Sequence, residues 1–277
     1  MSLTAIDEDP RQEWCSCPHE PPCYSASVFC NRELVIFFVV AYVWAWLVFV
    51  PLVLFHAAIQ WTIVGTFGPT VAALIAQRLS RGDFRAFHFI PSWPRVCVAI
   101  PVGVVLILFA YVILPSVLTS EPGKLNWSVF GSLSVYNYSS FLGGPLGEEP
   151  GWRGYALPRL EASCGPVGGS LLLAVLWAGW HLPLFFYPGW TSSTFWSFLL
   201  ILGGMSILFT FVANLSFFSI IPAIAMHVTF NTVSRFLNGL LTNAQPTARL
   251  PFEIVMGLTG IATASIKEVV VSNLPEY

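Results

Sequence analysis

Residues 147–161, which read GEEPGWRGYALPRLE, place two adjacent carboxylates and an arginine in an otherwise apolar part of the chain. Moving a carboxylate out of water costs several kcal/mol unless it is paired, hydrogen-bonded or neutralised, so these charges are expected to have a defined role. On a helix, Glu149 and Arg153 stand four residues apart on one face and can form a structural ion pair. Glu148 points about 100° away from that face. The stretch therefore predicts one carboxylate that is paired and one that is left unpaired and available for chemistry.

The composition around this stretch is that of an integral membrane protein. Of the 277 residues, 56% are hydrophobic and only 9% are charged, whereas a soluble domain has roughly 25% charged residues. The net charge of −2 is small, and no basic run indicates a nucleic-acid partner. The lipid bilayer is therefore the expected surrounding of most of the chain.

Apolar stretches long enough to cross a bilayer, at about 20 residues each, divide the chain into about eight predicted transmembrane helices. They cover residues 34–55, 59–79, 96–118, 127–160, 167–187, 194–213, 217–240 and 251–271. The predicted fold is therefore an all-α polytopic membrane protein. Its domains are a polar, cysteine-rich tail over residues 1–33, a single transmembrane domain over 34–271 and a short C-terminal tail over 272–277.

The basic residues are distributed unequally over the two sides of the membrane. An N-terminus in the cytosol gives eight basic residues on the cytosolic side, namely Arg11, Arg32, Arg78, Arg81, Arg85, Arg95, Arg159 and Lys267. The other side then has three, namely Lys124, Arg235 and Arg249. The positive-inside rule predicts that both termini are cytosolic. The expected membrane is the endoplasmic reticulum in a eukaryote or the plasma membrane in a bacterium.

Four of the six cysteines lie in the N-terminal tail, at Cys15, Cys17, Cys23 and Cys30, and His19 lies among them. Their spacing matches no zinc-finger pattern. Metal binding and acylation are both open for this tail, beside the simpler interpretation of a disordered tail with reduced thiols.

Two histidines lie within predicted spans, His181 in LLAVLWAGWHLPLFF and His227 in IPAIAMHVTFNTV. Asn231 follows His227 by four residues, so the two side chains share one helical face. Counted from the predicted cytosolic helix ends, Glu148, His181 and His227 all lie roughly 15 to 21 Å deep, at about 1.5 Å of rise per residue. Three helices can therefore bring these groups to one level.

A carboxylate, two imidazoles and a carboxamide in a water-poor cavity are suited to hydrolysing an amide with an activated water. A glutamate there can act as a general base, and histidine or asparagine can donate hydrogen bonds to the developing oxyanion. The predicted catalytic residues are Glu148, His181, His227 and Asn231. Two histidines and a glutamate can also bind Zn²⁺ and leave a position for water. A zinc site at Glu148, His181 and His227 and a metal-free glutamate mechanism are both open.

The order and spacing of these residues resemble the CAAX-protease and bacteriocin-processing family of intramembrane proteases, whose motifs are EExxxR, FxxxH and HxxxN or HxxxD. The three motifs occur here in order, as Glu148-Glu149 to Arg153, Trp177 to His181, and His227 to Asn231. One departure is Trp177, where the pattern usually has phenylalanine. The family-like region covers about residues 66–239, so the resemblance does not extend to the cysteine-rich tail.

The resemblance implies an eight-helix fold with its site inside the membrane and an intramembrane endopeptidase activity. The expected substrate is a membrane-associated peptide or a prenylated protein, cleaved near its prenylated C-terminus. The family is commonly called a metalloprotease family. The alternative is a catalytically inactive membrane scaffold that keeps the pocket and binds lipidated or peptide partners. A proton-relaying transporter is disfavoured, because no paired inverted repeats occur and the polar groups concentrate at one point.

Overall fold

The computed structural model describes the part of the chain that contains all three motifs. The described residues are 32–81, 93, 97, 100–102, 104–105, 141–191, 194–216 and 218–240, without the side chains of 81 and 233–240. These residues form helices and contain no strand, which confirms the all-α prediction. Four helical segments among them are long and apolar enough to cross a membrane: Arg32–Leu54, Ile59–Ser80, Pro145–Trp180 and Phe195–Leu215.

Several predicted segments lie outside the described residues. They are the N-terminal tail up to residue 31, most of the span over 96–118, residues 127–140 of the fourth span, and everything after residue 240. The total of about eight transmembrane helices and the cysteine-rich tail therefore stay predictions.

Helix α1 (Arg32–Leu54) buries a single stripe of residues spaced three or four apart, namely Leu34, Phe37, Ala41, Ala45, Phe49 and Leu52. Residues between them, such as Val39, Val43 and Leu47, are exposed although they are apolar. A buried stripe on an otherwise apolar helix is the pattern of a helix with protein on one side and lipid on the other.

A 3₁₀ turn (Ile59–Trp61) and helix α2 (Thr62–Thr66) lead into helix α3 (Gly68–Arg81), which packs along α1. Helix α3 contributes Ala72, Ala73 and Ala76 to the core, each fully buried. Small side chains allow helix backbones to approach closely in a membrane. The predicted span over 59–79 is thus formed by two helices, joined at Phe67.

Helix α4 (Pro145–Gly151) is held tightly against α2 and α3 by two glycines four residues apart. A Cβ added at Gly147 would lie 2.7 Å from the Thr66 carbonyl oxygen, and one at Gly151 would lie 2.3 Å from the Pro69 carbonyl carbon. No side chain fits in either place. The Thr70 hydroxyl also donates a hydrogen bond to the Gly147 carbonyl at 2.6 Å. This contact fixes the backbone that carries both glutamates.

A π-helical turn (Trp152–Ala156) connects α4 to helix α5 (Leu157–Trp180). Such wide turns are rare and are found frequently at functional sites. This one buries Arg153, Trp152 and Tyr155 together. The Trp152 ring packs edge-on against Phe37 of α1 and Trp180 of α5, with centroids 5.4 Å and 5.9 Å apart.

The predicted boundaries of the fourth and fifth spans differ from the structure. The break between them is present at Gly165, whose φ of 71° interrupts α5 just before Pro166. The predicted end at Tyr187 is wrong, because α5 ends at Trp180 and Leu182–Phe186 forms a 3₁₀ turn. Pro183 explains the difference, since proline disfavours helical geometry in the preceding residue and cannot donate a backbone hydrogen bond. His181 therefore lies at a helix end rather than within a helix.

Helices α6 (Phe195–Leu215) and α7 (Ile220–Leu240) complete the described structure. Helix α6 packs against α5 through buried hydroxyls: Ser206 donates to the Ser170 carbonyl at 2.8 Å, and Thr210 donates to the Ser170 hydroxyl at 3.0 Å. Hydroxyl pairs of this kind join helices within membranes. Helix α7 lies against α4, which brings the third motif to the first.

Candidate active site

A single cavity of about 180 Å³ has all four predicted catalytic residues in its wall. Glu148 comes from α4, His181 from the end of α5, and His227 and Asn231 from successive turns of α7. The structure thus brings together the residues that the sequence placed on separate helices.

The rest of the cavity wall is mainly aromatic and aliphatic. It consists of Trp177, Trp180, Leu184, Trp190, Phe198, Ile201, Leu202, Met205 and Phe230, with Thr62, Thr66 and Gly143 as further members. Apolar walls with a few convergent polar groups are typical of sites that bind small ligands or peptide side chains. Such walls also strengthen electrostatic interactions within the cavity, because they exclude water.

Glu148 is buried and holds a hydrogen bond that the sequence did not predict. The Trp177 indole donates from Nε1 to Glu148 Oε2 at 2.7 Å. The motif spacing indicated only that Glu148 does not share the helical face of Arg153, and the indole donor is a partner beyond that prediction. Trp177 stands where the family motif usually has phenylalanine. The available signal was the indole N–H, which phenylalanine does not have.

Glu149 and Arg153 form the contact expected from their spacing. Arg153 Nη1 lies 3.0 Å from Glu149 Oε1, and both side chains are buried. The guanidinium carbon also lies 4.2 Å from the ring centroid of Trp177 and 4.8 Å from that of Phe209. Aromatic faces attract cations electrostatically. The arginine is thus enclosed by one carboxylate and two rings, which suits a charge that must stay out of water.

Glu149 has a second partner that its assignment to an ion pair did not include. Its Oε1 also accepts a hydrogen bond from His227 Nδ1 at 2.6 Å. Because Nδ1 is engaged in this way, the second ring nitrogen, Nε2, is the one left for other partners. Glu149 therefore joins the buried arginine to a residue of the cavity wall. The contact spans 78 positions of sequence, so no local pattern could indicate it.

His181 is held in one orientation by its backbone contact and by surrounding rings. Its Nδ1 donates to the Trp177 carbonyl at 2.8 Å. A carbonyl can only accept, so the Nδ1 proton is fixed and Nε2 of the neutral ring is an acceptor. The Trp190 ring stacks on it at 5.8 Å, while Trp180 and Phe198 meet it edge-on at 4.7 Å and 5.2 Å.

The zinc site at Glu148, His181 and His227 stays a prediction beside the metal-free mechanism. Among the residues that the structure describes, no three His, Cys, Asp or Glu side chains are grouped so that they could hold a metal ion. Both cavity histidines use Nδ1 on oxygen acceptors, and Glu148 uses Oε2 on an indole N–H. Metal-binding histidines commonly donate their other ring N–H to an oxygen in this way, so these contacts leave Nε2 of each ring and Oε1 of Glu148 as the atoms that would hold a zinc ion.

Comparison with known proteins points to one family. Residues 130–233 match the family described as type II CAAX prenyl endopeptidase Rce1-like. This range contains the four predicted catalytic residues of the cavity wall, Glu148, His181, His227 and Asn231. The CAAX prenyl protease 2 of Methanococcus maripaludis is 31% identical over 146 residues, which are 47% of this chain and 54% of that protein. The chain thus spans about half the length of this curated relative.

Proposed function

We propose that the chain is an intramembrane endopeptidase, on the premise that the region carrying its motifs matches the Rce1-like CAAX prenyl endopeptidase family. The observation that carries the proposal is the convergence of Glu148, His181, His227 and Asn231 on one apolar cavity. These side chains supply a base, a second acceptor and hydrogen-bond donors, which are the groups that amide hydrolysis by water requires.

Activation of the water is assigned to Glu148 and His181. Trp177 occupies Oε2 of Glu148, so Oε1 is the oxygen that takes the proton from the water. The neutral His181 ring presents Nε2 as an acceptor and can hold the second hydrogen of the same water. The oxygen of the water then attacks the peptide carbonyl carbon as its proton passes to Glu148.

Stabilisation of the resulting oxyanion is assigned to Asn231 and His227. The Asn231 amide carries two N–H donors. His227 can donate only from Nε2, because its Nδ1 is engaged with Glu149, and this requires a ring protonated on both nitrogens. When the tetrahedral intermediate breaks down, the departing amine needs a proton. Glu148 has just received one and returns it, so the carboxylate is regenerated.

The substrate class proposed is a membrane-held peptide with a prenylated C-terminus. The related protein from Methanococcus is named a CAAX prenyl protease, and the mainly apolar cavity wall supports the same class. A site within the membrane must be reached by a substrate that is itself held there. A prenyl chain provides such an anchor, because each buried methylene contributes about 0.8 kcal/mol to membrane binding.

Incubation of the purified protein with a prenylated C-terminal peptide is expected to release a C-terminal fragment, detected by mass spectrometry. The matched control is the same peptide without its prenyl group. With the protein reconstituted in lipid vesicles, this peptide should be cleaved far more slowly, because it is not anchored in the bilayer. If the protein binds the prenylated peptide but releases no product, the catalytically inactive scaffold is the better interpretation.

A chelator separates the two mechanisms that the sequence left open. The proposed water activation by Glu148 predicts that phenanthroline leaves the turnover unchanged. Loss of turnover that added zinc restores would instead support a metal that polarises the carbonyl or activates the water.

We also propose that both termini face the cytosol, on the basis of the arginine asymmetry. A single cysteine placed by Asp83→Cys in a cysteine-free background is expected to react with membrane-impermeant thiol reagents from the cytosolic side. Lys124→Cys in the same background is the matched control and should react from the opposite side. The reverse labelling of the two positions would invert the topology.

A further inference from the structure

We propose that Trp177 is a positioning residue for catalysis, which holds Glu148 through its indole N–H and His181 through its backbone carbonyl. This inference rests on the proposed function of the cavity. It assigns a role to the position at which the chain departs from the family motif, where phenylalanine is usual. Phenylalanine retains the ring and the carbonyl at this position, but it cannot donate a hydrogen bond to the glutamate.

The contact between Trp177 and Glu148 is short and shielded from water. The distance from Nε1 to Oε2 is 2.7 Å, and the two residues are 1% and 3% exposed. A hydrogen bond to an ionised acceptor is roughly twice as strong as one between neutral groups. Water cannot replace it at a buried position, so loss of the indole N–H leaves a buried carboxylate oxygen without its donor.

The hydrogen bond also decides which oxygen of Glu148 faces the reaction. With Oε2 on the indole, Oε1 is the oxygen beside Gly144, where an added Cβ would lie 2.9 Å from Oε1 and 3.6 Å from His227 Cε1. Oε1 therefore lies on the side of Glu148 that faces Gly144 and the His227 ring. A carboxylate free to rotate would spend less time in this orientation, and effective general base catalysis requires a fixed geometry.

The indole itself is held from several sides. The Arg153 guanidinium lies over its ring at 4.2 Å, and the His227 ring meets it edge-on at 5.5 Å. Its backbone carbonyl accepts the hydrogen bond from His181 Nδ1. A single residue on α5 thus sets the orientation of both groups to which water activation is assigned.

Trp177→Phe tests the proposal, because it removes the N–H and keeps an aromatic ring and the carbonyl. On a prenylated peptide, kcat is expected to fall about 10- to 100-fold, as for the loss of a hydrogen bond to a charged group. KM should change little, because Trp177 acts on the attacking water through Glu148. A fall in kcat accompanied by an equal rise in KM would overturn the proposal.

Trp152→Phe is the matched control. Trp152 is fully buried like Trp177, but its Nε1 has no hydrogen-bond partner among the residues that the structure describes, and it lies outside the cavity wall. A general effect of replacing a buried indole would appear in both variants. Equal kcat values for the two variants would overturn the positioning role.

The indole N–H resonance of Trp177 provides a readout that does not depend on turnover. In the ¹H–¹⁵N spectrum of the full chain in detergent, this resonance is assigned by its loss on substitution at position 177. It should shift when Glu148→Gln replaces the carboxylate acceptor by an amide, since the hydrogen bond is then no longer charge-assisted. An unchanged resonance would overturn the contact. The spectrum is recorded without substrate. It therefore tests the contact between Trp177 and Glu148 even if the wild-type protein does not cleave prenylated peptides.

Discussion

Glu148→Gln is expected to give a folded protein that cleaves a prenylated peptide about 10²- to 10⁴-fold more slowly than the wild type, the usual contribution of a general base. The amide cannot take a proton from water, so the attacking oxygen stays a weak nucleophile. The glutamine has almost the same shape as the glutamate, and its carbonyl oxygen can still accept the hydrogen bond from the Trp177 indole. Packing around the site should therefore be preserved while the chemistry is lost.

The measurements are kcat, KM and the thermal unfolding midpoint in detergent. Glu161→Gln is the matched control, because Glu161 lies outside the cavity wall and accepts from Asn214 Nδ2 at 2.7 Å, which a glutamine oxygen can also do. Its turnover should equal that of the wild type. A Glu148→Gln variant with the activity of Glu161→Gln would show that Glu148 is not the base.

Local spacing was enough to predict the parts of the site that are formed by residues four positions apart. The contact between Glu149 and Arg153 follows from a separation of four residues. The same separation places His227 and Asn231 in the wall of one cavity. The convergence of three helices was indicated by the similar depths of their polar residues, since groups at one level in a membrane can meet without distortion of the helices.

Contacts between helices could not be predicted in this way, because they depend on how the helices pack. Trp177 and Glu148 are 29 positions apart, and His227 and Glu149 are 78 apart. Gly147 and Gly151 hold α4 close to α2 and α3, and α7 packs against α4. Helix α5 reaches α4 through the Trp177 side chain. The early end of α5 is a different case, since Pro183 was a local signal that favoured a boundary before Tyr187.

Glu149→Gln is expected to reduce both the amount of folded protein and its turnover, because Glu149 Oε1 is shared by Arg153 and His227. Removing one partner of a buried ion pair costs about 3 to 5 kcal/mol, since the remaining charge stays buried and unpaired. The expected result is a large loss of folded yield and a lower thermal midpoint. Gly203→Ala is a neutral control for these measurements, because its added Cβ would have no neighbour within 4 Å.

The double variant Glu149→Gln/Arg153→Met separates the two contacts of Glu149. It removes both charges and places an apolar side chain between the rings of Trp177 and Phe209, so much of the folded yield should return. Turnover should stay low, because a neutral amide accepts a weaker hydrogen bond from His227 than a carboxylate does. If the yield does not recover, the ion pair is not the reason that Glu149 is needed for folding. If turnover recovers with the yield, Glu149 acts on the cavity through stability alone, and its contact with His227 has no part in the reaction.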